Sequence, residues 1–294
     1  MEWKGKLSGS IHLILTLGKI RIASLVALST ATGYVLASGK IDAGLIIPVI
    51  GTLILALGAG ALNQYQERNL DKLMPRTAIR PIPAGKISPN AALTLSLLWL
   101  FIGSMILYWG TNQTALILGL LTAFWYNGIY TYLKRVTPLA VIPGSVIGAL
   151  PPLIGWASVD TNIFKLQPLV LALFFFIWQI PHFWLLLLNF GDDYHLAGYP
   201  SLTRMLDKNQ LGRLTYMWIV ATAVSIVLMP LFGLGSSNIV FILLVLSSIH
   251  LIWKSTNLLK MNINESSYLM AFKGINIYIL TVMFLLSLNK LLDL

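Results

Sequence analysis

The sequence lacks cysteine altogether, since none of its 294 residues is one. This absence excludes disulfide bonds, thiolate metal sites and a cysteine nucleophile. The chain also lacks any Gly/Ser-rich linker or low-complexity tract that would divide it. We therefore expect residues 1–294 to form a single domain.

Charged residues are scarce as well. They make up 10% of the chain, whereas soluble domains have about a quarter, and 57% of the residues are hydrophobic. A soluble domain of this size cannot bury so much apolar surface, so a lipid bilayer must be part of its surroundings. The net charge of +10 does not indicate nucleic-acid binding, because the basic residues are spread over the ends of apolar segments.

Several apolar segments have about the 20 residues that a helix needs to cross a bilayer. They predict an all-α membrane protein with about nine transmembrane helices. The predicted spans are residues 22–38, 44–64, 92–108, 114–130, 139–157, 168–188, 214–234, 238–253 and 270–288.

The charges are distributed unevenly between the two sides of the membrane. Basic residues collect before the first span and in the loops that join even-numbered to odd-numbered spans, so we expect the N-terminus and these loops in the cytoplasm and the C-terminus outside. The N-terminal segment lacks the character of an organellar transit peptide, so we expect a multi-pass protein of a bacterial inner (cytoplasmic) membrane. The same loops hold most of the acids, which are Glu67, Asp71, Asp192, Asp193, Asp207 and Glu265. A membrane face that carries many charged residues of both signs indicates a functional site.

The first acidic cluster follows the second span. Asn63, Glu67 and Asp71 are four residues apart and therefore lie on one face if the helix continues. Their oxygen atoms suit Mg²⁺, and the guanidinium groups of Arg76 and Arg80 suit phosphate. The alternative is a helix end with charge pairs in interfacial water. The depth of Asn63 favours a site, because a polar group within the membrane needs a partner or a wet cavity.

A second acidic cluster and a basic pair belong to the same face. Asp192 and Asp193 follow the sixth span and either hold a second metal ion against one diphosphate or form a solvated turn. Adjacent residues of a helix point in different directions, so we expect only one of them to be a direct ligand. Lys134 and Arg135, after the fourth span, either grip the diphosphate from a third side or are ordinary stop signals of a membrane helix.

Two polar residues lie inside the sixth span. One interpretation of His182 and Gln179 is that they form hydrogen bonds between helices, and the other is that they contact an acceptor molecule. For His182 a third interpretation is that it acts as a base. Pro143, Pro151 and Pro152 interrupt the fifth span, which is tolerated where a helix lines a cavity or packs closely.

The first acidic cluster and several short sequence motifs around it resemble those of a known protein family. The sequence resembles the UbiA-type intramembrane prenyltransferases, and within them the protoheme IX farnesyltransferase (haem O synthase) branch. Asn63, Glu67 and Asp71 match the family's N-x-x-x-D-x-x-x-D pattern, with Glu for the middle Asp. Residues 74–85 match the branch pattern M-x-R-T-x-x-R-P-x-P-x-G. The other matching blocks are residues 132–138, 148–156, 178–183 and 193–200.

The resemblance covers about two-thirds of the chain, from Lys19 to Pro200, and the last three spans match only in hydropathy. Ile20, Ile79 and Ser201 depart from the branch, which usually has Pro, Asn and Met at these positions.

The resemblance implies a bundle of nine helices around a central cavity open to lipid. It implies transfer of a farnesyl group from farnesyl diphosphate to the 2-vinyl group of protoheme IX (haem B). The product would be haem O, for haem–copper oxidase biogenesis. Mg²⁺ would be the cofactor. The implied partners are farnesyl diphosphate, haem B, the lipid bilayer and haem A synthase or oxidase assembly factors, with no nucleic acid.

The resemblance also implies a role for each candidate residue. The catalytic set would be Asn63, Glu67, Asp71 and Asp193. The metal ligands would come from Glu67, Asp71, Asp192 and Asp193. The diphosphate would be bound by Arg76, Arg80, Lys134 and Arg135. The haem side would be His182 and Gln179.

Three alternatives compete with this interpretation. Another UbiA-type enzyme, prenylating an aromatic or quinone precursor, would share the metal site and differ in the acceptor wall, at residues 148–156 and 178–183. A transporter would place its coupling charges near the midplane, whereas these acids gather at one membrane edge. A structural subunit of an oxidase would not need Asn63, Glu67 and Asp71 in register.

Overall fold

The computed structural model describes residues 2–260 and 265–293, and within this part of the chain every regular element is a helix. In chain order the helices are α1 Glu2–Leu17, α2 Ile20–Ser38, α3 Ala43–Asp71, α4 Pro75–Ala78, α5 Pro89–Gly110, α6 Gln113–Leu133, α7 Pro138–Ala157, α8 Leu166–Leu196, α9 Lys208–Leu231, α10 Asn238–Leu259 and α11 Glu265–Leu291. Among these residues, nine helices (α2, α3 and α5–α11) are long and apolar enough to cross a membrane. The predicted fold class is thus confirmed. The side chain of Glu265, one of the acids assigned to the cytoplasmic loops, lies outside the described residues.

The spans pack as two groups that share an edge. The first group is α2, α3, α5, α6 and α7, in which each span contacts the next and α7 returns to α2. The second is α8–α11, which closes in the same way through contacts between α8 and α11. Contacts of α7 with α8 and of α2 with α11 join the groups. Each group has its own apolar core, and the larger lies among α8–α11.

Helices α2 and α7 approach each other more closely than side chains would allow. A Cβ atom on Gly33 would overlap the carbonyl of Pro152, and one on Gly155 would overlap the carbonyl of Thr30. The hydroxyl of Thr30 donates to the carbonyl of Pro151 across the same contact, at 3.1 Å. Small residues at the interface are the usual means of bringing two membrane helices together. Of the two alternatives for the proline-containing fifth span, lining a cavity or packing closely, this part of α7 shows close packing.

Three spans depart from regular α-helix near one end of the bundle. Residues 125–130 of α6 are π-helical. Helix α7 is interrupted at Ser145, whereas Pro151 and Pro152 sit inside its continuous part. Helix α8 bends at Phe190, where φ is −128° and ψ is 22°. Irregularities of this kind often occur at functional sites, because they re-aim the side chains that follow.

Several helices continue beyond the membrane spans that the sequence predicted. The second span was predicted to end at residue 64 and the sixth at residue 188, but the helices continue to Asp71 and Leu196. The apolar segment of the sequence ends at the membrane edge, whereas the backbone hydrogen bonds of the helix continue beyond it. Helix α1 was not predicted at all.

Candidate functional site

The candidate site lies where the C-terminal ends of α3, α6 and α8 meet the start of α2. Asn63, Glu67 and Asp71 follow one another at four-residue intervals along α3, as the spacing predicted. They are 1%, 4% and 0% exposed. Carboxylates are almost never buried to this extent unless they are paired. The alternative of a solvated helix end is therefore excluded, and each carboxylate must have a partner.

The partners of Glu67 come from α6 and from the segment after α8. Lys134 Nζ lies 2.5 Å from Glu67 Oε1, and the Tyr199 hydroxyl donates to the same oxygen at 2.8 Å. Burial, followed by the charge of Glu67, raises the pKa of Tyr199, so this phenol stays protonated and donates. The structure thus places Lys134 beside the first acidic cluster, while its predicted role in binding diphosphate stays a prediction. Tyr199 was not among the predicted residues.

Asp71 is held by the loop that follows α3. Arg80 Nη1 donates to both carboxylate oxygens of Asp71, each at 2.8 Å. The hydroxyl of Thr77 donates to the Asp71 carbonyl at 2.9 Å, which fixes helix α4 against the end of α3. The segment between Asp71 and Arg80 therefore folds back so that its guanidinium group meets the carboxylate.

The second acidic cluster contributes one residue to the site. Asp193 Oδ2 lies 3.7 Å from Arg76 Nε, and the Arg76 guanidinium also lies 4.8 Å from the centre of the Phe190 ring. Asp192 is exposed. After the bend at Phe190, Asp193 thus faces Arg76, whereas Asp192 faces outward. The expectation that only one of the adjacent carboxylates is a direct metal ligand stays a prediction.

Asn63 connects α3 to α6 and to the start of α2, which the sequence did not associate with the site. Its Oδ1 accepts a hydrogen bond from Lys19 Nζ at 2.6 Å, and its Nδ2 donates to Thr131 Oγ1 at 2.9 Å. Lys19 Nζ also lies 3.1 Å from the Tyr126 hydroxyl, and Thr131 donates to the Tyr126 carbonyl at 2.9 Å. The π-helical segment of α6 thereby presents Tyr126 and Thr131 to the start of α2.

Lys19 joins α1 to α2 in an unusual conformation. Its φ is 55° and its ψ 50°, in the left-handed region, where a residue with a Cβ loses roughly 1–2 kcal/mol. Burial, followed by the charge of Arg80, lowers the pKa of Lys19 to about 7. Such strain persists where surrounding contacts fix the residue, and here those contacts are Asn63 and Tyr126. Lys19 is therefore a further basic side chain of the site.

Arg135 does not join the acids. Its Nη2 donates to the Gln66 carbonyl at 3.0 Å, and its guanidinium lies 5.2 Å from the centre of the Tyr132 ring. Its Nε is buried without a hydrogen-bond partner among the described residues. Lys134 and Arg135 therefore point to different partners, Lys134 to the carboxylate of Glu67 and Arg135 to the backbone of α3, and the prediction that the pair binds diphosphate stays a prediction.

The acceptor-side candidates lie along an aromatic row that begins at the charged site. Ring centres are 6.2 Å apart for Tyr126 and Tyr130, 5.8 Å for Tyr130 and Phe183, and 5.8 Å for Phe183 and His182. Gln179 packs against α7, where a Cβ on Gly148 would come within 2.5 Å of its Oε1. The row links α6 to α8 and connects the carboxylates with His182.

The donor set fits a magnesium ion that shares its shell with substrate. Within the described residues no three His, Cys, Asp or Glu side chains are close enough to form a metal cage of their own. Glu67 and Asp71 on α3 and Asp193 on α8 instead offer a sparse set of carboxylate oxygens. Mg²⁺ is commonly held by one or two carboxylates together with water and phosphate oxygens. The residues present thus fit the ion only in company with a phosphate-bearing ligand.

Comparison with known proteins decides the family. The family model described as "UbiA prenyltransferase family" matches residues 26–286. The chain belongs to the UbiA prenyltransferase family. As a UbiA family member it is a multi-pass membrane prenyltransferase, which sets aside the transporter and the structural subunit.

Two relatives and one solved structure illustrate the similarity. The protoheme IX farnesyltransferase of Geobacter sulfurreducens is 40% identical over 75% of this chain and 81% of its own length. That of Oleidesulfovibrio alaskensis is 31% identical over 94% and 95%. A UbiA homologue from Archaeoglobus fulgidus, solved with DMAPP and Mg²⁺, is 12% identical, covers 96% of this chain and 99% of its own, and has a TM-score of 0.70. Because only 12% of the residues are identical, the similarity to the Archaeoglobus fulgidus structure shows a shared fold and nothing more.

Proposed function

We propose that this UbiA family member transfers the farnesyl group of farnesyl diphosphate to the 2-vinyl group of haem B, giving haem O for haem–copper oxidase biogenesis. The observation that carries the proposal is the set of acids, each paired with a base: the buried Glu67 with Lys134, the buried Asp71 with Arg80, and the partly exposed Asp193 with Arg76. The acceptor is supported by the relatives, which bear the name protoheme IX farnesyltransferase.

The basic groups suit the bond-breaking step. The bond between C1 of the farnesyl group and the diphosphate oxygen breaks, and its electron pair leaves with the diphosphate. Lys134, Arg80 and Arg76 lie where they are able to stabilise the charge of this leaving group. The terminal carbon of the vinyl group then bonds to C1. Water adds to the other vinyl carbon and loses a proton, which leaves a hydroxyethylfarnesyl side chain.

A magnesium ion would be held by Glu67, Asp71 and Asp193, and when bound it neutralises charge on the diphosphate. These carboxylates are ion-paired with basic side chains. In the loaded enzyme the basic side chains exchange carboxylate oxygens for phosphate oxygens. Asn63, held between Lys19 and Thr131, keeps α3 in register with α2 and α6. Arg135 and Asp192 have no part in this arrangement.

The aromatic row supplies a path between donor and acceptor. Tyr130 and Phe183 lie between the charged site and His182, so their ring faces are placed to shield an allylic cation from water and to attract it. Gln179 and His182 then face the acceptor.

The location of the charges supports an orientation. We place the protein in the inner (cytoplasmic) membrane, with the N-terminus and the site at the cytoplasmic face and the C-terminus outside. The basic residues at the site end of α2, α3, α6 and α8 carry this assignment under the positive-inside rule. Delivery of product to haem A synthase or to oxidase assembly factors would take place in the same membrane.

The test uses the full chain purified in detergent and supplied with haem B, farnesyl diphosphate and Mg²⁺, with farnesylated haem detected by mass spectrometry. We expect product from the wild type and a loss of at least about 100-fold with Asp71→Asn, because the substitution removes a proposed ligand of the magnesium ion and the ion-pair partner of Arg80, the two groups that stabilise charge on the diphosphate. Asp160→Asn is the matched control, since this exposed carboxylate pairs with Lys165 between α7 and α8. Prenylation of an aromatic acid instead of haem would move the assignment to the other UbiA-type activity.

A further inference from the structure

His182 is held between α8 and α11. The ring centres of Trp178 and Phe272 lie 4.8 and 5.1 Å from the imidazole centre, at interplanar angles of 34° and 37°. Trp178 Nε1 also donates to the carbonyl of Ile275 at 3.1 Å, which ties the two helices together at this level. The imidazole therefore has a restricted orientation, and the ninth span forms one wall of its surroundings.

The amide of Asn276 determines which imidazole nitrogen carries the proton. Asn276 Nδ2 donates to the carbonyl of Phe272 at 2.7 Å, so Oδ1 is the atom 2.9 Å from His182 Nδ1. A flipped amide would set Oδ1 against that carbonyl, with two acceptors facing each other. An amide oxygen only accepts, so Nδ1 must be the donor. A neutral imidazole has a single N–H, and Nε2 therefore keeps its lone pair.

The lone pair of Nε2 has no hydrogen-bond donor among the described residues. An imidazole whose other nitrogen donates to a fixed oxygen is the usual arrangement of a histidine that ligates a metal, because the outer oxygen sets the tautomer and raises the basicity of the ligand. We propose that Asn276 positions His182 so that Nε2 binds the iron of the haem acceptor. This inference rests on the proposed function and deepens it, since it assigns how the acceptor is held.

The competing interpretation is a hydrogen bond that only joins α8 to α11. The two differ in what happens to the iron. The test adds ferric haem B to the purified chain without farnesyl diphosphate and records absorption and electron paramagnetic resonance spectra. We expect the wild type to give the spectrum of a nitrogen-ligated iron and His182→Ala to lose it. Asn276→Leu should lower the affinity for haem by roughly 10- to 100-fold, the usual effect of removing an outer-shell partner.

Two variants separate ligation from folding. Asn276→Asp keeps an oxygen that accepts from Nδ1 and should retain the wild-type spectrum. Ser248→Ala removes a 2.9 Å hydrogen bond between α10 and Tyr278 of α11 without touching His182, and should also leave the spectrum unchanged. Metal-free protoporphyrin is the matched probe, and its binding should be the same in the wild type and in His182→Ala.

The outcomes distinguish this inference from the proposed function. If His182→Ala and Asn276→Leu keep both spectrum and affinity while the chain still farnesylates haem, the iron ligand is refuted and the function stands. If the wild type binds no haem and prenylates another acceptor, both the iron ligand and the proposed function are refuted. If Asn276→Leu and Asn276→Asp lose ligation to the same extent, the amide does not act through its accepting oxygen, and the positioning role is refuted.

Discussion

Replacement of Tyr199 by phenylalanine tests whether the segment after α8 is attached to α3 through the site. The substitution keeps the ring and removes the hydroxyl that donates to Glu67 at 2.8 Å. A hydrogen bond to a charged acceptor contributes about 1.5–3 kcal/mol. Lys134 stays on the same carboxylate oxygen at 2.5 Å, so we expect the lower end of that range. A loss of about 1.5 kcal/mol in transition-state stabilisation is about a tenfold decrease in kcat/KM.

The chain offers a closely matched control for this variant. The Tyr34 hydroxyl donates to Asp42 at 2.6 Å, so Tyr34→Phe also removes a bond from a phenol to a carboxylate, but at the opposite end of α2. Initial rates of haem farnesylation with varied farnesyl diphosphate would be measured for both variants, together with their melting temperatures in detergent. We expect only Tyr199→Phe to lose activity. Unchanged kcat/KM in Tyr199→Phe, or an equal loss in Tyr34→Phe, would show that the bond does not organise the site.

Three further predictions concern the acids, the ion and the packing of α2 on α7. The rate of farnesyl transfer should be at least about tenfold lower in Asp193→Asn than in Asp192→Asn, because only Asp193 faces a basic residue of the site. Equal losses in the two variants would contradict the placement of Asp193 in the site. Chelation of Mg²⁺ should abolish farnesyl transfer reversibly and leave the melting temperature nearly unchanged, because the buried carboxylates are already paired with Lys and Arg; melting that falls with activity would show a structural ion. Gly155→Leu should prevent accumulation of folded protein, because its side chain meets the Thr30 carbonyl; a stable, active variant on size exclusion would disprove the close contact.

Sequence reasoning predicted the parts of the site that are local in the chain. The spacing of Asn63, Glu67 and Asp71 has the period of a helix, so their common face could be deduced without any knowledge of tertiary structure. The nine spans were predicted for a similar reason, since each is a continuous apolar segment. Orientation was predicted from charge, because loops are short and alternate between two sides, and it stays a prediction.

The rest depended on contacts between residues far apart in the sequence. Lys19, Tyr199 and Asn276 are 44, 132 and 94 residues from their partners Asn63, Glu67 and His182. A lysine that precedes a membrane span looks the same in the sequence whether it only sets the orientation of the span or also belongs to the site. The divergence of Arg135 from Lys134 could not be predicted either, because it depends on where the helix α6 ends and on how far its π-helical segment turns the chain.

The π-helical segment at residues 125–130 makes the length of α6 matter as much as its composition. A π-helical turn accommodates more residues than an α-helical one, so such a segment has the character of an absorbed insertion. Deletion of one residue of this segment, such as Gly128, would therefore let the helix return to regular geometry with the residues beyond it near their present places, whereas deletion of a residue from the regular part of α6 would rotate the residues beyond it by roughly 100° and shift them by about 1.5 Å. Thr131 and Lys134 would then leave Asn63 and Glu67. We therefore expect substitutions of lipid-facing residues of α6 to leave activity intact, whereas gain or loss of a single residue in its regular part should abolish activity.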